Sequence, residues 1–239
     1  SRKLRHYVHL GTGNYHARTA RLYTDYGLLT CDEALGRDAA RVFQLLTSLG
    51  QVKALSKMLQ SPFTLHKKVI EKIKREAANA RAGKAARIIV KCNALIEPET
   101  IEALYQASQD GVRIDCIIRG VCCLRPGVPG VSDNIHVRSI VGRFLEHTRV
   151  FYFHNEGDFD LYLSSADWMG RNFFQRVETA FPVADRKIRQ RILKDGLELY
   201  LADNTDAWVL QKDGEYKRRV PVGKQRPHSA QSSLMSRKP

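Results

Sequence analysis

Segments typical of β-strands alternate with segments typical of α-helices along most of this 239-residue chain, and this alternation limits the fold more than any other feature. Short apolar runs predict the strands, and apolar residues repeating every three to four positions predict the helices. The predicted elements lie at 66–82 (helix), 87–91 (strand), 97–110 (helix), 112–119 and 135–141 (strands), 149–153 and 160–163 (a hairpin) and 185–200 (the last helix). This order is typical of an α/β fold in which helices cover a sheet.

The two ends of the chain depart from this pattern. Residues 3–10 alternate like a strand, and because a strand needs a neighbour, we expect the chain to begin inside a larger domain. Residues 32–61 are predicted to be helical, with apolar positions from Val42 to Leu49. Residues 210–239 are polar and basic, and we expect them to form a flexible tail.

The chain is strongly basic, because 39 Lys and Arg against 25 Asp and Glu give a net charge of +14. This excess favours an anionic partner, such as a nucleic acid, a membrane surface or a phosphorylated polymer; charge that only aids solubility is the alternative. No apolar run approaches the roughly 20 residues that span a bilayer, and no secretory leader is visible. Five cysteines without a C-x-x-C pair favour reduced thiols over disulfides or a metal site.

A glycine turn with basic residues after it is the first candidate site. Its members are Gly11, Thr12, Gly13 and Asn14, followed by Arg18 and Arg21. Glycines let backbone N–H groups approach an anion closely, and arginine can hold phosphate oxygens with two parallel hydrogen bonds. The alternative is an ordinary strand-to-loop turn with a solvated basic face.

Arg119, at the end of a predicted parallel strand, is the second candidate. It precedes a Gly- and Pro-rich loop at 120–133. Ligands of open α/β sheets gather at the carboxyl ends of the strands, which favours a binding role. A surface arginine on a connecting loop is the alternative.

The third and fourth candidates follow further along the chain. His147 and Arg149 share one face of an extended segment, and an imidazole beside a guanidinium suits phosphoryl chemistry. The alternative for His147 is a partly buried, hydrogen-bonded histidine. Ser164 and Ser165 open a strand-end segment, 164–172, that is rich in hydroxyl and amide groups. The alternative there is a helix N-cap.

These motifs together resemble the carboxy-terminal region of the bacterial type-1 polyphosphate kinases. The resemblance runs in order from about residue 4 to about residue 202 and excludes the tail. The segments that carry it are 7–15, 19–25, 119–127, 143–149 and 164–172. The family's catalytic half has two similar phospholipase D-like α/β domains, each a mixed sheet flanked by helices. The resemblance implies that residues 1–59 complete the first domain, that 60–209 form the second and that 210–239 are the tail.

The resemblance also implies an activity and site residues. The family transfers phosphate reversibly between ATP and polyphosphate through a phosphohistidine. Tyr23 is expected to stack on the ATP base, Arg119 and His147 to bind ATP, and His147 to act as acid/base or stabiliser. The expected phosphate contacts are Gly11, Thr12, Gly13, Asn14, Arg21, Arg149, Ser164 and Ser165. Mg²⁺ is expected to bridge the nucleotide phosphates, although the sequence has no obvious carboxylate cluster for it.

One departure from the family pattern limits this expectation. The phosphorylated histidine of the family lies on the strand upstream of the glycine turn, and His6 and His9 are too close to that turn to replace it. We therefore expect this chain alone to be inactive. Arg149 also stands where the phospholipase D-like H-x-K pattern has lysine, which keeps the charge.

Two other functions stay open at this point. A phospholipase D-like phosphodiesterase or nuclease would need two intact H-x-K motifs. A non-catalytic RNA or polyanion binder would rely on charge, but aromatic residues are only 8% of the chain and form no RNA-binding cluster. The expected partners are ATP and polyphosphate, with a homo-oligomer in the full-length protein and no specific nucleic acid. The expected location is the cytoplasm, with peripheral association at the inner membrane left open.

Overall fold

A computed structural model describes residues 5–47 and 55–237, in which a nine-stranded mixed sheet separates two layers of helices. The helices are α1 Glu33–Thr47, α2 Leu65–Arg81, α3 Pro98–Gln109, α4 Gly170–Phe174, α5 Arg186–Ile192, α6 Leu199–Ala202 and α7 Ala230–Met235. The strands are β1 Val8–Gly11, β2 Tyr23–Thr24, β3 Gly27–Thr30, β4 Leu59–Gln60, β5 Arg87–Cys92, β6 Arg113–Ile118, β7 Ile135–Ile140, β8 Leu145–Glu146, β9 Arg149–Phe153, β10 Asp160–Ser164, β11 Thr179–Pro182, β12 Ala207–Leu210 and β13 Tyr216–Arg218. The predicted α/β class is confirmed.

The large sheet has the strand order β13-β12-β7-β6-β5-β9-β10-β11-β4. Its centre, β5 to β7, is parallel, and the strands on both sides are antiparallel. Two short pairs lie outside it: β1 with β3, and β2 with β8. The β2–β8 pair joins an N-terminal segment to the stretch just before β9, which brings distant parts of the chain together.

Strands β5 and β6 are mostly apolar because helices cover both faces of the sheet. Along β5, Ile88 and Val90 pack into one buried cluster with α2 and α3, whereas Ile89 packs into a second cluster with α5 and α6. Residues Leu193–Glu198 form a π-helical turn that connects α5 to α6 without a break. None of the described helices has the length and apolar character that a bilayer crossing requires.

The helix predicted for residues 32–61 does not reach its predicted end. The structure describes α1 over Glu33–Thr47, residues 55–58 are not helical and residues 59–60 form β4; Leu49 lies outside the described residues. The buried Asp38 carboxylate explains why residues 56–58 are not helical. It accepts the backbone N–H groups of Ser56, Lys57 and Met58 at 2.8, 2.6 and 3.0 Å. These N–H groups therefore do not bond to helical carbonyls.

The prediction of a flexible tail after residue 209 is wrong for the described residues. Residues 210–237 contain the end of β12, all of β13 and helix α7, so 185–200 is also not the last helix. Polar contacts fix this segment: Asp203 accepts the N–H of Ala230 at 2.7 Å, and Asn204 accepts that of His228 at 2.7 Å. The polar composition of this segment therefore gave no indication of the hydrogen bonds that order it.

We predict that Asp38→Ala lowers the free energy of unfolding by at least about 2 kcal/mol, because it leaves three backbone donors without their acceptor. Urea denaturation of the chain measures the change. Glu33→Ala is the matched control, because Glu33 lies on the same helix with its side chain 68% exposed. Equal effects of the two substitutions would contradict the role of Asp38.

Candidate active site

The β2–β8 pair places His147 beside the N-terminal part of the chain. Tyr23 pairs with Leu145, and Thr24 pairs with Glu146. The Thr24 hydroxyl donates to Glu146 Oε2 at 3.0 Å and accepts the backbone N–H of His147 at 3.2 Å. The ladder and this hydroxyl together fix the backbone on which His147 is carried.

Asp25 and Tyr23 hold the imidazole of His147. Nδ1 lies 3.0 Å from both carboxylate oxygens of Asp25, and the Tyr23 ring lies 4.9 Å from the imidazole between centroids. Thr12 donates its hydroxyl to Asp25 Oδ1 at 2.7 Å. Because a carboxylate only accepts hydrogen bonds, the hydrogen of a neutral imidazole sits on Nδ1, and Nε2 is left as an acceptor.

Arg149 places a buried guanidinium against the other side of the same ring. Its Nε and Nη2 each donate to one oxygen of Asp167 at 3.1 Å. Its Nη1 donates to the carbonyl oxygen of Thr12 at 3.0 Å and lies 3.0 Å from His147 Nε2. Asp167 also accepts the backbone N–H of Asn93 at 2.7 Å. The arginine is therefore fixed in one orientation beside the histidine.

A cavity of about 360 Å³ brings Tyr23 and Arg119 together. Residues 140–146 form one of its walls. Arg119 is held through its backbone, since its N–H donates to Cys92 O and its carbonyl accepts the hydroxyl of Ser139. Within residues 5–47 and 55–237, no acidic or carbonyl group pairs with its guanidinium. Arg119 therefore presents a cation to the same space as the Tyr23 ring.

A second cavity, of about 570 Å³, adjoins the site. Tyr23 and Phe144 line both cavities, and Asp25 and Thr148 line the second. Its walls combine apolar side chains, such as Leu28, Ile188 and Leu234, with the charged side chains of Lys91, Arg191 and Asp195. The Thr148 hydroxyl is buried and has no hydrogen-bond partner among the described residues.

A buried ion pair lies behind the histidine segment. Lys91 Nζ lies 2.8 Å from Glu146 Oε2, and each side chain is only 3% exposed. The ammonium also lies 3.4 Å from the centre of the Tyr200 ring. Burial raises the pKa of Glu146, but the charge of Lys91 and hydrogen bonds lower it more, so the pKa lies below its usual value. Burial lowers the pKa of Lys91, and Glu146 offsets part of that effect.

Several predicted phosphate contacts use their side chains inside the protein. The Thr12 hydroxyl is fully buried between Asp25 and the backbone N–H of Tyr26. Ser164 donates to Thr179 O, and Ser165 donates to the carboxylate of Glu178. These serines bond to residues 178 and 179 and cap no described helix, because α4 follows Met169, whose side chain makes no cap hydrogen bond. Phosphate binding by these residues stays a prediction.

The rest of the glycine turn lies next to the histidine site. A side chain at Gly13 would collide with Asp25, because its Cβ would lie 2.0 Å from Oδ2. Gly11 ends β1, and Asn14 and Arg21 are exposed. Close packing on Asp25 therefore explains glycine at position 13, and a phosphate role for this turn stays a prediction.

No role was predicted from the sequence for Asp25, Asp167, Lys91 or Glu146. Asp25 and Asp167 lie in segments 19–25 and 164–172, where an acidic side chain beside basic residues could have indicated an ion pair. Lys91 also had a signal, since it interrupts a run of buried apolar residues on β5. Nothing in the sequence alone indicated its pairing with Glu146.

Two protein-family models match consecutive parts of the chain. "Polyphosphate kinase C-terminal domain 1" matches residues 1–53, and "Polyphosphate kinase C-terminal domain 2" matches residues 58–231. The chain belongs to the polyphosphate kinase family. The family match confirms the resemblance and corrects its extent, because it continues into the segment predicted to be a tail outside it. The predicted division at residue 59 stays a prediction.

Known polyphosphate kinases are similar over nearly all of the chain. The Burkholderia multivorans protein is 61% identical over 216 residues, which are 90% of this chain and 31% of that protein. The Pseudomonas aeruginosa protein is 58% identical over 235 residues, 98% of this chain and 34% of that protein. The crystal structure of the Porphyromonas gingivalis polyphosphate kinase matches 96% of this chain and 35% of its own, with 36% identity and a TM-score of 0.92. This chain spans about a third of these polyphosphate kinases.

We predict that Glu146→Gln lowers the free energy of unfolding by about 3–5 kcal/mol at pH 7, because it leaves a buried lysine without its counter-charge. The folded-state pKa of Glu146 is lowered, so its stabilisation is present above the unfolded-state value of about 4.3 and is lost as the pH falls through the folded-state value. Denaturation at a series of pH values should show the gap between the two proteins narrowing below about pH 4.

A double variant is the control for this prediction. Lys91→Met with Glu146→Leu removes both charges, and it should be more stable than Glu146→Gln alone. A gap that stays constant from pH 7 to pH 3 would contradict the assigned ion pair.

Proposed function

We propose that this chain supplies the nucleotide-binding part of an ATP–polyphosphate phosphotransferase active site. The observation that carries the proposal is the grouping of Tyr23, Arg119 and His147. Tyr23 and Arg119 line one cavity, and the imidazole of His147 lies against the Tyr23 ring. A planar aromatic ring and a cation in one cavity suit a nucleoside base and its phosphates.

His147 and Arg149 are proposed to act on the transferred phosphoryl group. Phosphoryl transfer depends mainly on positioning and on stabilising negative charge. Arg149 supplies a fixed cation, and Asp25 fixes the orientation of the imidazole. His147 then stabilises the phosphoryl oxygens or exchanges a proton at Nε2 after a small movement away from Arg149.

The proposed transfer has two steps. In the first, a histidine nitrogen upstream of the glycine turn bonds to the γ-phosphorus of ATP, and the bond to the bridging oxygen breaks, so that ADP leaves with the electron pair. In the second, a terminal oxygen of polyphosphate bonds to that phosphorus and the P–N bond breaks, which restores the histidine. The upstream histidine is carried over from the family resemblance and lies outside this sequence, so we propose that the chain is inactive alone.

Magnesium stays a prediction without assigned ligands. In the parts of the chain that the structure describes, no three His, Cys, Asp or Glu side chains come together in a group that could hold a metal ion. Homo-oligomerisation, a cytoplasmic location and contact with the inner membrane are likewise proposals that rest on the family alone.

The geometry gives less support to the two alternatives. A phospholipase D-like phosphodiesterase needs two H-x-K motifs at its site, and the candidate site holds only the variant His147-Thr148-Arg149. The other H-x-K of the described residues, His66-Lys67-Lys68, lies on helix α2. A charge-driven RNA binder needs exposed cations, but the site's Arg149 is 9% exposed and fully paired with Asp167. An arginine that is buried and oriented suits a preorganised reaction site better than a general polyanion surface.

We predict that His147→Ala reduces ATP-dependent polyphosphate synthesis by at least about 10²-fold, because it removes a positioned group beside the transferred phosphate. The assay uses an enzyme of the relatives' full length that carries this chain. His136→Ala is the matched control, since His136 is exposed on β7. Activity retained in the His147 variant would remove this residue from the mechanism.

We predict that Tyr23→Ala raises the KM for ATP about tenfold or more, whereas Tyr23→Phe keeps it within about twofold, because base stacking is worth roughly 1–3 kcal/mol and needs only the ring. Steady-state kinetics of the same enzyme measure the KM for ATP of both variants. Equal KM values for the two variants would contradict stacking on Tyr23.

A further inference from the structure

Helix α7 carries a polar side chain that is almost fully buried. Gln231 is 3% exposed, although the segment around it is polar. A buried amide is stabilising only when its donors and acceptor find partners. The partners of Gln231 lie more than 80 positions earlier in the chain, in the segment that precedes His147.

The Gln231 amide bonds to both backbone groups of one residue and to a carboxylate. Its Oε1 accepts the N–H of Phe144 at 2.9 Å, and its Nε2 donates to the carbonyl of Phe144 at 2.8 Å. Nε2 also donates to Glu146 Oε1 at 2.6 Å. Gly142 leaves room for this contact, because a Cβ there would lie 2.6 Å from Gln231 Oε1. The amide thus bonds to the N–H and the carbonyl of Phe144, as the backbone of a neighbouring strand would.

The loop that Gln231 holds, residues 142–146, lines the cavity that contains Tyr23 and Arg119. Residues 142–146 supply half of the lining residues of that cavity, and Phe144 faces the second cavity as well. The next residue is His147. A change in the position of Phe144 therefore alters the cavity wall and the approach of the backbone to His147.

Helix α7 is itself anchored. The carboxylate of Asp203 accepts the first backbone N–H of the helix, that of Ala230, and Ser229 caps the helix by accepting the N–H of Ser232. Ala230 is fully buried in the same cluster as Ile192 and Tyr200. Gln231 is therefore held by a helix that is packed on the sheet layer.

We propose that Gln231 is a positioning residue that fixes the nucleotide cavity and the histidine segment from the C-terminal side. This inference rests on the proposed function, since the cavity is assigned to ATP there. Gln231 does not touch the reacting groups in this structure; it acts through Phe144 and Glu146. The C-terminal segment is accordingly part of the active-site support.

The experiment compares Gln231→Met and Gln231→Asn with Ser232→Ala in an enzyme of the relatives' full length. Met keeps the length of the side chain but removes all three hydrogen bonds, and Asn keeps the amide but is too short to reach both partners. Ser232 is exposed on the same helix and is the matched control. We expect kcat/KM for ATP to fall on the order of 10²-fold in both Gln231 variants, with most of the loss in KM.

Two further measurements separate positioning from general loss of structure. The thermal midpoint should stay within a few degrees of the control, and amide hydrogen exchange at Phe144 should become faster while exchange in β5 and β6 is unchanged. Kinetic constants within twofold of the Ser232→Ala control would overturn the proposal, and so would unchanged exchange at Phe144.

The design also separates this inference from the proposed function. If the unmodified enzyme makes no polyphosphate from ATP, the proposed function fails, and with it the assignment of the cavity to ATP. The exchange experiment still decides whether Gln231 holds residues 142–146. Faster exchange at Phe144 in both Gln231 variants would support that part, and unchanged exchange would overturn it.

Discussion

The buried contact between Lys91 and Glu146 is the interaction on which the site depends. Two charges removed from water are stabilised only if their geometry is good and their remaining hydrogen-bonding groups are satisfied. Glu146 meets this condition through partners from three other parts of the chain: Lys91 from β5, Thr24 from β2 and Gln231 from α7. Because Glu146 directly precedes His147, satisfying one buried carboxylate also fixes the backbone of the histidine. The pair thereby sets the position of this segment, whereas apolar side chains of similar volume would fill the same space without a desolvation cost.

A second set of charges gives the site its electrostatic character. Asp25 and Asp167 each bind one basic group, His147 and Arg149, and these two groups contact each other. These four side chains are thereby oriented before any ligand binds, and a preorganised dipole or charge costs no reorganisation during reaction. Arg119 differs, because its guanidinium pairs with no acidic or carbonyl group in the described parts of the chain. The site therefore combines fixed charges beside the histidine with a cation on the cavity wall that has room for an anionic ligand.

Local patterns in the sequence were sufficient for most of the fold. The buried strand β5 and helix α3, with Pro98 in its first turn and Glu97 capping it, follow from residues that are neighbours in sequence. The errors arose where distant polar groups decide the conformation, as at Asp38 and in the last 28 described residues, 210–237. The site shows the same division. Motifs identified His147 and Arg149, whereas the roles of Lys91 and Glu146 became visible only when strands far apart in sequence were paired.

The boundary between the two family models lies between residues 53 and 58, yet the residues around His147 come from both sides of it. Tyr23 and Asp25 lie in the part matched by the first model, and they contact a histidine that lies 122 positions beyond Asp25 in the second. The second region contains the large sheet, but alone it would present His147 without the carboxylate that orients its ring. The first region supplies that carboxylate, but no histidine among its described residues, 5–47, hydrogen-bonds to it. The β2–β8 ladder therefore joins the two regions at the candidate site, and the orientation of the histidine requires both regions in one assembly.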